Sequence, residues 1–206
     1  MKGIFITFEG LDGAGKTTQV SMLQKYLSSL KKSVFLTREP GGTGIGEKIR
    51  EMLKTYLMEP ITELLLFYAS RAEHIKKIVL PMLERGDIVI CDRFVDSSIA
   101  YQVYGRGMEE QAVVNLNHMT VGELKPQITV LLKIPPQMIQ RRAQMRFESD
   151  RWDNESIEFC KRVSKGYEEI TKKDPERFLI IDGTLDKEEI FSKIKERINK
   201  ILEERE

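Results

Sequence analysis

Apolar and polar positions divide the chain into five short β-like runs separated by longer helical ones. The strand candidates are Ile4–Glu9, Ser33–Thr37, Asp87–Cys91, Ile128–Ile134 and Phe178–Asp182. In the fourth, Val130, Leu131 and Leu132 are apolar on consecutive residues, as in a strand covered on both faces. The helical runs are Lys16–Leu30, Ile45–Leu53, Pro60–Leu83 with Pro81 near its end, Glu109–Val121, Pro136–Met145, Ile157–Lys173 and Lys187–Glu204. The last has an apolar stripe at Ile190, Phe191, Ile194, Ile198 and Ile201, which reads as core packing. Strands alternating with helices predict an α/β fold, a five-stranded parallel sheet with helices on both faces. No repeat, linker or composition break interrupts the pattern, so residues 1–206 read as one domain.

Open sheets of this kind bind ligands at the carboxyl ends of their strands. Immediately after the first strand, Gly10-Leu11-Asp12-Gly13-Ala14-Gly15-Lys16-Thr17 fits the phosphate-loop pattern G-x-x-x-x-G-K-[ST]. Its glycines let backbone N–H groups turn inward around phosphate oxygens, and the following helix dipole adds positive potential. Lys16 is expected at the β- and γ-phosphates of a nucleoside triphosphate, with the Thr17 hydroxyl on Mg²⁺. A bare glycine-rich turn is the rival, and the strand–loop–helix context argues against it.

The other strand ends carry Arg38-Glu39-Pro40, Asp92-Arg93 and Asp182-Gly183-Thr184. There is no N-K-x-D guanine reader, which disfavours a switch GTPase, and no appended basic module of a motor ATPase. A small kinase needs arginines that hold an acceptor phosphate and neutralise charge during in-line transfer. Arg38 and Arg93 open loops at the mouth of the sheet, and Arg141, Arg142, Arg146 and Arg151 form a further cluster.

Composition narrows the picture. Thirty-three basic against 32 acidic residues leave a net charge of +1, which offers nothing to nucleic acid or a membrane surface. No apolar stretch approaches the roughly 20 residues of a membrane span. Cys91 and Cys160 form no metal or C-x-x-C pattern, and the chain runs straight into its first strand. The expectation is a cytoplasmic protein without a signal peptide.

Several segments together resemble thymidylate kinase of the bacterial type over nearly the whole chain. They are Phe8-Glu9-Gly10 through Thr17-Thr18, Thr37-Arg38-Glu39-Pro40-Gly41-Gly42-Thr43, and Leu65-Leu66-Phe67-Tyr68-Ala69-Ser70-Arg71. Asp92-Arg93-Phe94, Ser97-Ser98-Ile99-Ala100-Tyr101-Gln102 and Asp150-Arg151-Trp152-Asp153-Asn154-Glu155-Ser156 complete the set. The resemblance implies phosphorylation of dTMP to dTDP by ATP with Mg²⁺, in a homodimer. Another nucleoside monophosphate or a deoxynucleoside is the alternative acceptor.

Carried over residue by residue, the resemblance implies that Phe67 stacks on thymine and Arg71 hydrogen-bonds its carbonyl. The two are four residues apart, so on one helix they face the same side. Ser97 and Ser98 fall at polar contacts to the base, either of them also able to cap the following helix. Tyr101 falls against the deoxyribose, and Gln102 closes the pocket. Asp12 takes the sugar 3′-hydroxyl or orients a magnesium-bound water, and Arg38 and Arg93 clamp the acceptor phosphate. Asp92, and with less definition Glu9, are carboxylates for Mg²⁺ or its water shell. The residue after Asp12 is Gly13, so the chain resembles the lid-arginine type, and that resemblance implies a catalytic arginine on a lid at about 141–156. Matching Asp150-Arg151 to the family's pair puts it at Arg146, with Arg142 not separable by sequence. Lys125-Pro126-Gln127 and Asp150-Arg151-Trp152-Asp153 depart from the family's usual spelling.

Overall fold

The computed structural model describes residues 3–143 and 155–205, the side chains of 140–143 excepted. Its sheet has five strands, β1 (Ile4–Gly10), β2 (Val34–Arg38), β3 (Ile88–Asp92), β4 (Ile128–Lys133) and β5 (Phe178–Asp182). Their order across the sheet is β2-β3-β1-β4-β5, and every pairing is parallel. Strand β1 is central and buried along its whole length. Ile4, Ile6 and Phe8 go to one face, and Phe5 goes to the other with Val89 and Cys91. Thr7 of this strand is satisfied inside the sheet, where the Thr7 and Thr129 hydroxyls share a 2.8 Å hydrogen bond.

Three strands run one residue further towards the site than the pattern predicts, because the ladder continues through Arg38 opposite Asp92 and Gly10 opposite Leu132. That register puts the phosphate loop, Arg38 and Arg93 at one level. Helices α1 (Lys16–Ser29), α8 (Ile157–Lys173) and α9 (Lys187–Glu203) cover the first face, burying Leu23, Val163 and Ile194. On the second face lie α3 (Pro60–His74) and α4 (Leu80–Arg85), joined by a π-helical turn over Ile75–Val79. Leu80 N–H reaches the Ile75 carbonyl, five residues back. Pro81 accounts for the widened turn: it has no N–H to give and its ring crowds the preceding carbonyls.

Helices α2 (Gly44–Thr55), α6 (Glu110–Val121) and α7 (Pro136–Ala143) complete the predicted set. One further helix was not predicted: α5 (Val95–Ser98) runs on into a π-helical segment, Ile99–Gly105. Its run of Val, Ile and Tyr has strand propensity, and tertiary packing overrides it. A Cβ on Gly166 of α8 would sit 2.9 Å from the Ala100 Cα, and one on Gly105 would meet the Phe159 ring at 2.7 Å. The two helices therefore lie backbone against backbone. Among the described residues, no helix is long and apolar enough to cross a membrane.

Candidate active site

The carboxyl ends of β1, β2 and β3 open into a cleft of about 440 Å³. One end is the phosphate loop. Gly13 and Gly15 hold φ of +75° and +97°, conformations that turn successive amides the same way. Gly15 caps α1 with no side-chain acceptor for the first-turn N–H groups, leaving the amides of Lys16, Thr17 and Thr18 as anion donors. Asp12, Gly13, Gly15, Lys16, Thr17 and Thr18 line the cleft; Leu11 and Ala14 are buried behind it, and Gly10 turns beneath it against the Leu132 carbonyl. Lys16 Nζ donates to the carbonyls of Gly10 and Leu11 at 3.1 Å each. Its pKa is lowered, mainly by burial and then by the Arg93 charge.

Arg93 faces the loop from β3. It holds φ +74°, a left-handed conformation that costs a non-glycine residue about 1–2 kcal/mol. Two anchors hold the turn: Arg93 N–H donates to the Phe8 carbonyl at 2.9 Å, and Phe94 N–H donates to Glu9 Oε1 at 2.7 Å. The guanidinium donates to Asp12 Oδ1 at 2.8 Å, Ser97 Oγ at 3.0 Å and the Tyr101 hydroxyl at 3.2 Å. Tyr101 O–H donates in turn to Asp12 Oδ2 at 3.2 Å. Asp92, at the end of β3, lines the cleft with a buried Oδ1 that has no hydrogen-bond partner.

Glu9 is fully buried and does not line the cleft. Its carboxylate accepts from Phe94 N–H, from Ser97 O–H at 2.6 Å and from Tyr167 O–H at 2.7 Å. Burial pushes its pKa up to about 7, Asp96 adding to the shift and Arg93 opposing it. The expectation that Glu9 serves Mg²⁺ is corrected: its oxygens are committed to the backbone and hydroxyls that shape the Arg93 turn. The capping alternative for Ser97 and Ser98 is corrected too. Both lie inside α5, whose first turn starts from an extended Phe94, and Ser97 spends its hydroxyl on Glu9.

At the other end of the cleft stand Phe67, half-buried, and Arg71, almost wholly buried, on one side of α3. Arg71 Nε donates to Glu39 at 2.7 Å, Nη2 to the Phe94 carbonyl at 3.1 Å and Nη1 to Asn117 at 3.3 Å. Three of its five N–H donors are thus engaged, and its guanidinium lies 4.8 Å from the Tyr68 ring centre. Ser98, Tyr101 and Gln102 form the wall, Gln102 donating to Glu63 at 3.2 Å. Arg38, half-exposed, reaches in from β2 and pairs with Glu47 at 2.7 Å.

The family profile described as thymidylate kinase matches residues 8–194. The chain belongs to the thymidylate kinase family. It is similar to the thymidylate kinase of Kosmotoga olearia, 44% identical over 193 residues and 93% of each chain. A thymidylate kinase from a Sulfurihydrogenibium species is 46% identical over 191 residues, 91% of this chain and 93% of that one. The crystal structure of thymidylate kinase from Ehrlichia chaffeensis superposes with a TM-score of 0.80 at 36% identity, covering 96% of this chain and 99% of that one.

For a thymidylate kinase, the sequence left Glu39, Arg50 and Tyr167 without a role. Glu39 and Arg50 line the cleft, Arg50 donating to the Pro40 carbonyl at 3.1 Å, and Tyr167 underlies Arg93 from α8. The signals were present in the charge at a strand end and in an arginine one residue past the apolar Ile49. Arg146 and Arg151 lie outside the described residues, and so do the side chains of Arg141 and Arg142. The Asp182–Thr184 turn packs Gly183 against the Ala14 carbonyl of the phosphate loop without lining the cleft.

Proposed function

We propose that this chain transfers the terminal phosphoryl group of ATP to dTMP, giving dTDP and ADP. The observation that carries the proposal is one cleft with a phosphate loop at one end, an aromatic ring and a buried guanidinium at the other, and arginines between. On this reading Lys16 and the loop amides hold ATP phosphates. Phe67 stacks on the pyrimidine, Arg71 donates to its carbonyl, and Ser97, Ser98 and Gln102 complete its edge. Tyr101 packs against the deoxyribose, Asp12 accepts its 3′-hydroxyl, and Arg38 and Arg93 clamp the monophosphate. An acceptor phosphate oxygen forms the new bond to the γ-phosphorus as the bond to the β-bridging oxygen breaks. No general base is required, because a monophosphate with second pKa near 6 is largely dianionic at neutral pH. Catalysis is then positioning and charge neutralisation.

The residues present fit a magnesium ion. Thr17 and Asp92 both line the cleft, and the unpartnered Asp92 Oδ1 is the oxygen such an ion or its water shell would take. Bound there, the ion would supply charge compensation to phosphate oxygens. Among the described residues no three acidic, histidine or cysteine side chains cluster, in keeping with an ion shared with substrate phosphates. A lid arginine, Arg142 or Arg146, is proposed to complete neutralisation. Exposed Ile61 and Leu65 on α3 and Val114 and Met119 on α6 support the homodimer. A cytoplasmic setting goes with a nucleotide acceptor.

A coupled ADP-release assay with dTMP, dUMP, UMP and AMP tests the reading. The expected order has dTMP first by kcat/KM, and a preference for UMP or AMP would overturn it. Absence of product with every monophosphate would leave a nucleotide-binding protein without transferase activity.

A further inference from the structure

Beneath the base end lies a chain of buried polar groups that phosphoryl transfer itself does not use. The backbone of Glu39 extends strand β2, its N–H donating to the Asp92 carbonyl at 3.0 Å, and its side chain turns inward. The carboxylate divides its two oxygens: Oε2 accepts Arg71 Nε at 2.7 Å and Oε1 meets His74 Nδ1 at 3.0 Å. His74 Nε2 lies 2.6 Å from the Thr37 hydroxyl. The ring is fully buried, with Gly42 packed so closely that a Cβ there would come within 2.7 Å of His74 Cδ2. Burial alone would raise the Glu39 pKa, but Arg71 and His74 outweigh it and hold the carboxyl below its ordinary range.

The chemistry of the chain is directional. An ionised carboxylate only accepts, so His74 Nδ1 must carry a proton towards Glu39, and Nε2 is left to share its hydrogen bond with the Thr37 hydroxyl. A carboxylate paired with Arg71 alone could turn about its last side-chain torsion, leaving the guanidinium plane to the Phe94 carbonyl and Asn117. His74 pins the second oxygen and thereby fixes the plane of the first. Thr37 pins the ring from β2, next to Arg38. The result is a rigid strut from the strand end to the guanidinium that lines the cleft.

We propose that His74 is a positioning residue for base selection, fixing through Glu39 the angle at which Arg71 presents its donors to the pyrimidine. The proposal rests on the placement of Arg71 at the base given above. It makes the selection of thymine over cytosine depend on His74. Thymine offers a carbonyl acceptor at ring position 4, where cytosine carries an amino donor that clashes with guanidinium N–H groups.

The test measures kcat/KM for dTMP and dCMP, and KM for ATP, in wild type, Arg71→Lys, His74→Gln and His74→Asn. An asparagine amide can stand in for Nδ1 and keep its donor on Glu39; a glutamine amide reaches the Nε2 position and abandons it. Arg71→Lys should lower the dTMP-to-dCMP ratio at least about tenfold, and His74→Gln should lower it by a similar factor. His74→Asn should stay within about threefold of wild type, and KM for ATP should stay within about twofold in all variants. An unchanged ratio in His74→Gln, with Arg71→Lys shifted, overturns the inference and leaves the placement of Arg71 standing. An unchanged ratio in Arg71→Lys overturns that placement and the inference with it. Equal losses in the Gln and Asn variants, or a parallel rise in KM for ATP, would reduce His74 to packing and also overturn it. If His74→Gln does not fold, Thr37→Val carries the same readout, because it deletes the hydroxyl that holds the ring: a lowered ratio supports the strut and an unchanged one overturns it.

Discussion

At the phosphate end of the cleft, Lys16 rests its ammonium on two loop carbonyls, Asp92 has an unpartnered oxygen, and Arg93 holds a left-handed backbone. At the base end, Arg71, Glu39 and His74 are buried and committed to one another. The difference follows from what each end has to meet. A phosphate brings charge, so the groups around it are left in arrangements that its arrival improves. An uncharged base brings only a hydrogen-bonding edge and a flat face, so its reader is settled beforehand by neighbours. Strain and an unpartnered oxygen mark the first end, and buried charges held by one another mark the second.

The largest expected effect strikes the phosphate end. Lys16→Ala should lower kcat by about three orders of magnitude, since one preorganised charge aimed at a transferring phosphoryl contributes on that scale. ADP release under saturating substrates measures it, and near-wild-type turnover would remove Lys16 from the chemistry. Arg93→Ala comes next, with kcat down about a hundredfold or more. Its KM for dTMP should rise as well, because the same guanidinium is assigned to the acceptor.

Glu9→Gln probes the support beneath that end through pH. The Glu9 carboxyl rises from about 4.5 in the unfolded chain to about 7 in the fold. A raised pKa favours folding while the group is protonated, so its contribution is complete below about pH 4.5 and lost as pH climbs through 7. Glutamine stays neutral and abolishes that dependence. Wild-type stability relative to Glu9→Gln should therefore fall by on the order of 3 kcal/mol between about pH 4.5 and 8. Urea unfolding of both proteins across that range reads the difference; a constant gap would show that Glu9 titrates normally.

The smallest effect belongs to the base end. Phe67→Ala should raise KM for dTMP about tenfold, the worth of one stacked base, while kcat and KM for ATP hold. Because Phe67 is half-buried beside the cleft, its unfolding transition should move little. A fall in kcat as large as that from Arg93→Ala would erase the contrast between the two ends.

The two ends also differed in how plainly they could be read from the chain. The sheet, the phosphate loop and the acceptor arginines follow from period, spacing and strand ends, all local properties. Phe67 and Arg71 share a helix face by simple arithmetic, though only the family likeness turns the ring from core to ligand. The Glu9 side chain was misread because adjacency to the loop says nothing about which way a strand residue points. His74 and Glu39 lie 35 residues apart in sequence, and a buried pair at that distance has no local signature. The helix over Val95–Gly105 was missed for a related reason, since the contacts with α8 that hold it are not encoded in its own propensities.

The backbone twist at Arg93 sets durability against activity. Among replacements lacking the guanidinium, glycine should give the hardiest protein, about 1 kcal/mol above alanine, because only glycine adopts that twist freely. Paired melting curves would register the gap. Among such replacements, selection for heat resistance alone would therefore settle on glycine, the one that keeps the twist and lacks the charge that the acceptor needs.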